Sequence, residues 1–118
     1  MAVEKSSFTI YGQPCSKANS RRLVRFGNKP AFIKSAVALE YEKNFKLQCP
    51  VRDNLLTEDV VVTITIYYQS RRPDLDESVI LDCMQDFIYK NDRQVKEKHI
   101  FWGLDKDNPR AEITVEAL

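Results

Sequence analysis

Asp74 and Asp76 stand two apart in Arg71-Arg72-Pro73-Asp74-Leu75-Asp76, and a third acid, Asp92, follows in Asn91-Asp92-Arg93-Gln94-Val95. In an extended segment, residues two apart point the same way, so both carboxylates of the first motif can face one site. Pro73 limits the local freedom of that segment. Clustered carboxylates repel each other unless a cation lies between them. Hard oxygen ligands with open positions suit Mg²⁺, which keeps waters and bridges to phosphates. Such an ion can activate a water and offset charge on a phosphodiester during in-line displacement. The same residue types also serve as turn and helix-cap residues, so the acids alone leave that plain reading open.

Charge supplies a second observation. The chain carries a net +1, but from Lys5 to Leu39 there is no acid at all. That stretch holds Lys5, Lys17, Arg21, Arg22, Arg25, Lys29 and Lys34, for +7, which leaves −6 on the remainder. The asymmetry points to an anionic partner for the N-terminal third, with a solvated basic loop as the bland alternative. A basic loop beside a carboxylate site would hold a nucleic-acid backbone.

Other chemistries find little support. His99 is the sole histidine and has no nucleophile motif beside it, so no triad is suggested. Asp105-Lys106-Asp107-Asn108 repeats the acid spacing but reads as a turn. Phe101-Trp102 could stack on bases, although an aromatic pair at a strand end more often packs. The three cysteines, Cys15, Cys49 and Cys83, are 34 residues apart in each step, which fits neither a disulfide framework nor a zinc site. They are expected to be buried, reduced thiols. No apolar run approaches membrane-spanning length, and Met1–Ser7 has no secretory h-region.

The elements that must hold these residues follow from the hydrophobic patterning. The 118 residues make one domain. Phe8–Tyr11 reads as a short strand and 15–31 as a long basic loop with room for a hairpin. Ser35 can cap a helix running to about Gln48, with Ala38, Tyr41 and Phe45 as its stripe. Val60 to Tyr68 alternates strictly and should be a central strand. A second helix is expected from near Asp76 to near Phe87, its stripe formed by Val79, Ile80, Cys83, Met84 and Phe87. Residues 94–102 and 110–117 read as a hairpin joined by the turn formers of 103–109. The order is β-α-β-α-β-β, an α+β fold with two helices on one face of a mixed sheet. If the strands flanking the second helix are neighbours, Asp92 can approach the Asp74/Asp76 pair.

Taken in order, these residues form a pattern. Arg71-Arg72-Pro73-Asp74-Leu75-Asp76, a helix containing Leu81-Asp82, and Ile88-Tyr89-Lys90-Asn91-Asp92-Arg93-Gln94-Val95 resemble the RusA family of Holliday-junction resolvases. Tyr11-Gly12-Gln13-Pro14-Cys15-Ser16-Lys17-Ala18-Asn19 is similar to that family's basic opening segment, and Ile33-Lys34-Ser35 with Tyr41-Glu42 to the start of its first helix. The resemblance covers nearly the whole chain. It implies a small homodimeric endonuclease that works in the cytoplasm of bacteria or phage-infected cells. The enzyme would use Mg²⁺, with Mn²⁺ as a possible substitute, to cut branched DNA at symmetric positions. Asp74, Asp76 and Asp92 match the family's catalytic and metal-binding acids. Lys17, Asn19, Arg21, Arg22, Lys34, Arg71 and Arg72 become the expected DNA contacts. Two departures stand out: Glu77 occupies a position where the family usually has Asn, and Ile80 one where it often has Lys. Lys90, two residues before Asp92, is the candidate to supply the missing positive charge. The strand at 95–102, too polar for core, is a candidate dimer contact. A branched-DNA-binding protein with a degraded site is the alternative.

Overall fold

The computed structural model describes residues 5–16 and 21–118. Strand β1 covers Lys5–Tyr11, and β2 (Arg21–Phe26) and β3 (Lys29–Lys34) form a hairpin. Helix α1 (Ala36–Gln48), strand β4 (Val60–Tyr68) and helix α2 (Ser78–Met84) follow. A 3₁₀ turn at Asp92–Gln94 then leads into β5 (Val95–Leu104) and β6 (Arg110–Ala117). The α+β class and the mixed sheet agree with the sequence pattern. The basic loop at 15–31, read as having room for a hairpin, contains β2 and the start of β3. Gly27, at φ 65°, holds the first position of a two-residue turn and lets the chain reverse there.

The main sheet runs β1-β6-β4-β5. β4 pairs with β5 in parallel and with β6 antiparallel. This corrects the expected hairpin between 94–102 and 110–117: β6 crosses over β4 and inserts between it and β1. The alternation of the strands explains the choice. β6 buries Ala111, Ile113 and Val115 and is polar between them, which suits an interior strand with one covered face. β5 carries Lys96, Glu97, Lys98 and His99 in a row, all exposed, which suits an edge. β4–α2–β5 is a crossover unit, and a parallel neighbour is what such a unit produces.

All the buried sheet residues share one face: Ile10, Val60, Val62, Ile64, Ile66, Tyr68, Ala111, Ile113 and Val115. Both helices bury their stripes against it. Ser35 caps α1 as the sequence indicates, its Oγ accepting from Ala38 N–H at 3.2 Å. Ala38, Tyr41 and Phe45 enter the core, with Phe8 and Phe45 edge to face at 6.5 Å. α2 is shorter than its hydrophobic stripe suggests. Gln85 turns extended and Asp86 takes φ 69°, a left-handed conformation that Asp tolerates better than most residues. Phe87 and Ile88 then donate back to the Met84 carbonyl, so the apolar pattern continues without the helix. The three cysteines are buried and free, as expected.

The β2–β3 hairpin packs chiefly on itself. The radius of gyration is 15.3 Å and the longest dimension 57 Å, against about 13.5 Å for the radius of a compact chain of this length. No helix among the described residues is long and apolar enough to cross a membrane.

Candidate active site

The acid pair is built on the end of β4. The ring of Tyr68, the last residue of that strand, lies in the core with its hydroxyl reaching the following loop. That hydroxyl donates to the Asp74 carbonyl at 3.1 Å and accepts from the Asp76 N–H at 3.1 Å. One buried side chain thus fixes the backbone on both sides of Leu75. Burial raises the phenol's pKa, the Asp76, Glu77 and Asp74 charges raise it further, and the Asp76 N–H contact offsets part of this. The hydroxyl therefore stays protonated and can donate at any working pH.

Asp74 and Asp76 line one cavity of about 520 Å³ with Gln13, Pro14, Cys15, Ser16, Tyr68 and Arg72. The two acids are thus brought to one cavity. Among the described residues the exposed Asp74 carboxylate has no hydrogen-bond or ion-pair partner. Asp76 is half-buried, and its Oδ1 accepts from Ser78 N–H at 2.9 Å, while Glu77 between them stands at the N-cap of α2 with no side-chain cap bond. The local-turn reading of Asp76 is met by this bond, but the helix cap falls one residue later, at Glu77. Gln13, from the segment after β1, ties that segment to the cavity rim by accepting from Gln69 N–H at 2.8 Å. The Cys15 thiol in the cavity wall is pushed up by burial first and then by Asp76 and Glu42, so it stays protonated and is a poor nucleophile.

Asp92 lies elsewhere. β5 runs parallel to β4, so its start pairs with Val60, at the opposite end from Tyr68. Asp92 therefore borders a second hollow, of about 370 Å³, with Ser78, Leu81, Asp82, Val95 and Lys98. Its carboxylate too has no partner among the described residues, its N–H being held by Gln85 Oε1 at 3.2 Å. The two hollows flank the start of α2: Asp76 lines one, and Ser78 the other. Glu77, between them, is clamped to Lys98 at 2.6 Å. Among the described residues no group of three or more His, Cys, Asp and Glu side chains is close enough to hold a metal ion. The acids are thus a pair and an outlier rather than a closed triad.

The remaining expected residues divide similarly. Arg72 borders the acid cavity and Arg71 is exposed beside it. Arg21 and Arg22 are exposed on β2. Lys34, at the hairpin base, is held by Glu42 at 2.9 Å. Lys17 and Asn19 lie outside the described residues. Lys90 is exposed and lies in a bend, and Asp92 opens the 3₁₀ turn. The extended-segment argument linking Lys90 to Asp92 therefore does not apply. Ile80 is fully buried in the core. The second acid motif is a turn, as expected. Asp105 binds Arg110 at 2.7 Å and accepts from the Asp107 and Asn108 N–H groups. The Arg110 hydrogen bond holds the Asp105 carboxyl below the usual carboxylate range.

Sequence reading missed Tyr68 and Lys98. Tyr68 was visible only as a core position at a strand end. Lys98 sat in a polar run with no partner evident until β5 came alongside β4 and α2.

Two carboxylates and an arginine thus line one cavity at the end of β4. Among curated proteins no sequence match was found. The family described as Endodeoxyribonuclease RusA matches residues 12–116, nearly the full length. The chain belongs to the RusA endodeoxyribonuclease family, and it is a DNA-binding nuclease of that family.

Proposed function

We propose that the protein is a Mg²⁺-dependent resolvase that cuts four-way DNA junctions by paired symmetric incisions as a homodimer. The observation that carries this reading is the cavity shared by Asp74 and Asp76, with the Asp74 carboxylate unpartnered among the described residues. The donors suit the ion, because Mg²⁺ is usually held by one or two carboxylates, substrate phosphate oxygens and waters. Asp74 and Asp76 would hold it, with Asp92 as a third acid. When bound, the ion would supply an activated water and offset charge on the scissile phosphate.

The chain's own residues do the rest. Tyr68 fixes the acid-bearing loop. Arg72 meets the approaching phosphate at the cavity rim, while Arg71, Arg21 and Arg22 hold flanking backbone. Lys17 and Asn19 are proposed as further DNA contacts, and Lys90 as a source of positive charge for the transition state. A homodimer matches the near two-fold symmetry of a four-way junction. The β5 edge, with Phe101, Trp102 and Leu104 exposed, supports it as the dimer contact.

One observation favours the non-catalytic alternative: the family's lysine position holds Ile80, fully buried. Incubation with labelled four-way junction and linear duplex, with and without Mg²⁺, separates the two. Junction cleavage that needs Mg²⁺ and leaves linear duplex intact is expected. Tight junction binding with no cleavage in Mg²⁺ or Mn²⁺ would leave the binder.

A further inference from the structure

The β2–β3 hairpin has a composition that a purely electrostatic arm would not need. Its residues carry Arg21, Arg22, Arg25, Lys29 and Lys34 and no acid. Its register pairs Arg21 with Lys34, Leu23 with Phe32, and Arg25 with Pro30 on one face. Arg22, Val24 and Phe26 alternate onto the other, opposite Ile33, Ala31 and Lys29. Val24, Ala31 and Ile33 are half-buried, so the second face is partly covered. The first face is open. Leu23 is 58 % exposed and Phe32 70 % exposed, directly opposite each other. Among the described residues Arg21, Arg22, Arg25 and Lys29 make no ion pair. Six residues per strand give the hairpin a reach of about 20 Å. Its base leads toward the acid cavity, since β3 ends at Lys34 and Val37, in the first turn of α1, lines the cavity.

An exposed aromatic–aliphatic pair ringed by cations fits one surface above others. Intact duplex offers phosphates to the cations but nothing unstacked to the ring. A branch point offers both: converging backbones, and base pairs whose outer faces have lost a neighbour. Apolar side chains of this kind insert at base steps that are open or easily opened, and aromatic rings stack on exposed bases. A second copy of the same face is disfavoured, because two-fold packing would set Arg21, Arg25 and Lys34 against their own counterparts.

Resting on the junction-cutting reading above, we propose that Phe32 and Leu23 form a wedge that stacks against the open base pairs at the branch point. Arg21 and Arg25 grip the flanking phosphates. The hairpin, rather than the acid cavity, then selects branched over linear DNA, and it sets which phosphate reaches Asp74 and Asp76.

The test measures binding in EDTA, where no cutting intervenes, to a four-way junction with 2-aminopurine at the branch point and to a linear duplex of one arm sequence. Phe32→Ala should weaken junction binding roughly tenfold, within the range for loss of one base–aromatic stack. It should leave duplex binding unchanged and abolish the 2-aminopurine fluorescence change. Leu23→Ala should act in the same direction, and Phe32→Trp should restore the preference. Arg25→Gln should weaken both DNAs and lower the salt slope by about one. The exposed positions of Phe32 and Leu23 predict unchanged melting temperatures for these variants. Equal loss on both DNAs, or no loss, in Phe32→Ala would overturn the wedge. So would a Phe32→Ala protein that changes from dimer to monomer in light scattering, which would make the face an interface between copies. Mg²⁺ cleavage by the unaltered protein separates the two failures. If it cuts junctions while Phe32→Ala keeps its preference, only the wedge falls. If it neither prefers nor cuts junctions, the functional reading falls with it.

Discussion

Tyr68→Phe is the most informative single change in the site, because it removes one atom and leaves the packing intact. The ring stays in the core, so no cavity opens. The hydroxyl loses its donation to the Asp74 carbonyl and its acceptance from the Asp76 N–H, each at 3.1 Å. Each such bond contributes a net ~0.5–1.5 kcal/mol, and the orphaned, partly buried N–H keeps its desolvation cost. The expected loss is about 2 kcal/mol, which at this chain length lowers Tm by roughly 5–10 °C. The larger effect should be on cleavage. The bonds flank Leu75, so their loss frees the one segment that carries both acids. A shift of about 1 Å in a catalytic group can slow a reaction by roughly a hundredfold. Single-turnover cleavage of a labelled junction across a Mg²⁺ series reads this out. The expected pattern is a lower rate at saturation together with a higher half-saturating Mg²⁺ concentration, since the pair is both ligand set and scaffold. Junction affinity in EDTA should not move. A variant that melts lower yet cuts at the unaltered rate, with the same Mg²⁺ dependence, would show that Tyr68 anchors the loop without positioning the acids.

Asp74→Asn, Asp76→Asn and Asp92→Asn should each remove cleavage while junction binding stays equal or tightens, as measured by gel shift. Near-normal cleavage by Asp92→Asn would assign the second hollow no part in the reaction. Glu at both Lys17 and Arg22 should weaken DNA binding and flatten its salt dependence, because fewer counterions are released. Lys90→Ala should slow cleavage by roughly ten- to a thousandfold with little change in affinity if it meets transition-state charge. An unchanged rate would remove it from the site. Gly103→Ala should destabilise the fold by about 1–3 kcal/mol, seen by calorimetry. A Cβ there would lie 2.6 Å from the Tyr67 ring, whose centroid is 4.0 Å from the Arg110 guanidinium carbon.

The elements legible in the sequence are those whose signal is local. β4 alternates Val60, Val62, Ile64, Ile66 and Tyr68 without a break, and it forms over the residues that pattern marks. Ser35 announces α1, and the helix begins one residue later. The failure at β5 and β6 is one of partner choice. The turn formers between Gly103 and Pro109 are real, and Asp105 does cap a turn there through Arg110 and two backbone N–H groups. A turn, however, says only that the chain reverses. It does not say that the reversed strand must take the adjacent slot, and here β4 occupies that slot because it has apolar surface to bury and β5 has little. The polar run at 96–99 held this information, and it outweighs the turn when both are considered.

The same register decides what was legible in the site. Asp74 and Asp76 are joined by a two-residue spacing, so they stay near each other whatever the strand order, and they line one cavity. Asp92 was tied to them by an assumption about strand neighbours. That assumption holds, since β4 and β5 are adjacent. Yet a parallel pair sets the start of one strand beside the start of the other, so adjacency carries Asp92 away from the end of β4. Between the two lies α2, which starts beside the pair, returns the chain along the strands and ends in the turn at Asp86. α2 is only seven residues long, or about 10 Å. Asp92 therefore faces Ser78 and Asp82 from across the helix start, with Asp76 on the other side of it. In such an arrangement the N-terminal turn of α2 is the wall between the acids. The Glu77–Lys98 ion pair at 2.6 Å ties this turn to β5.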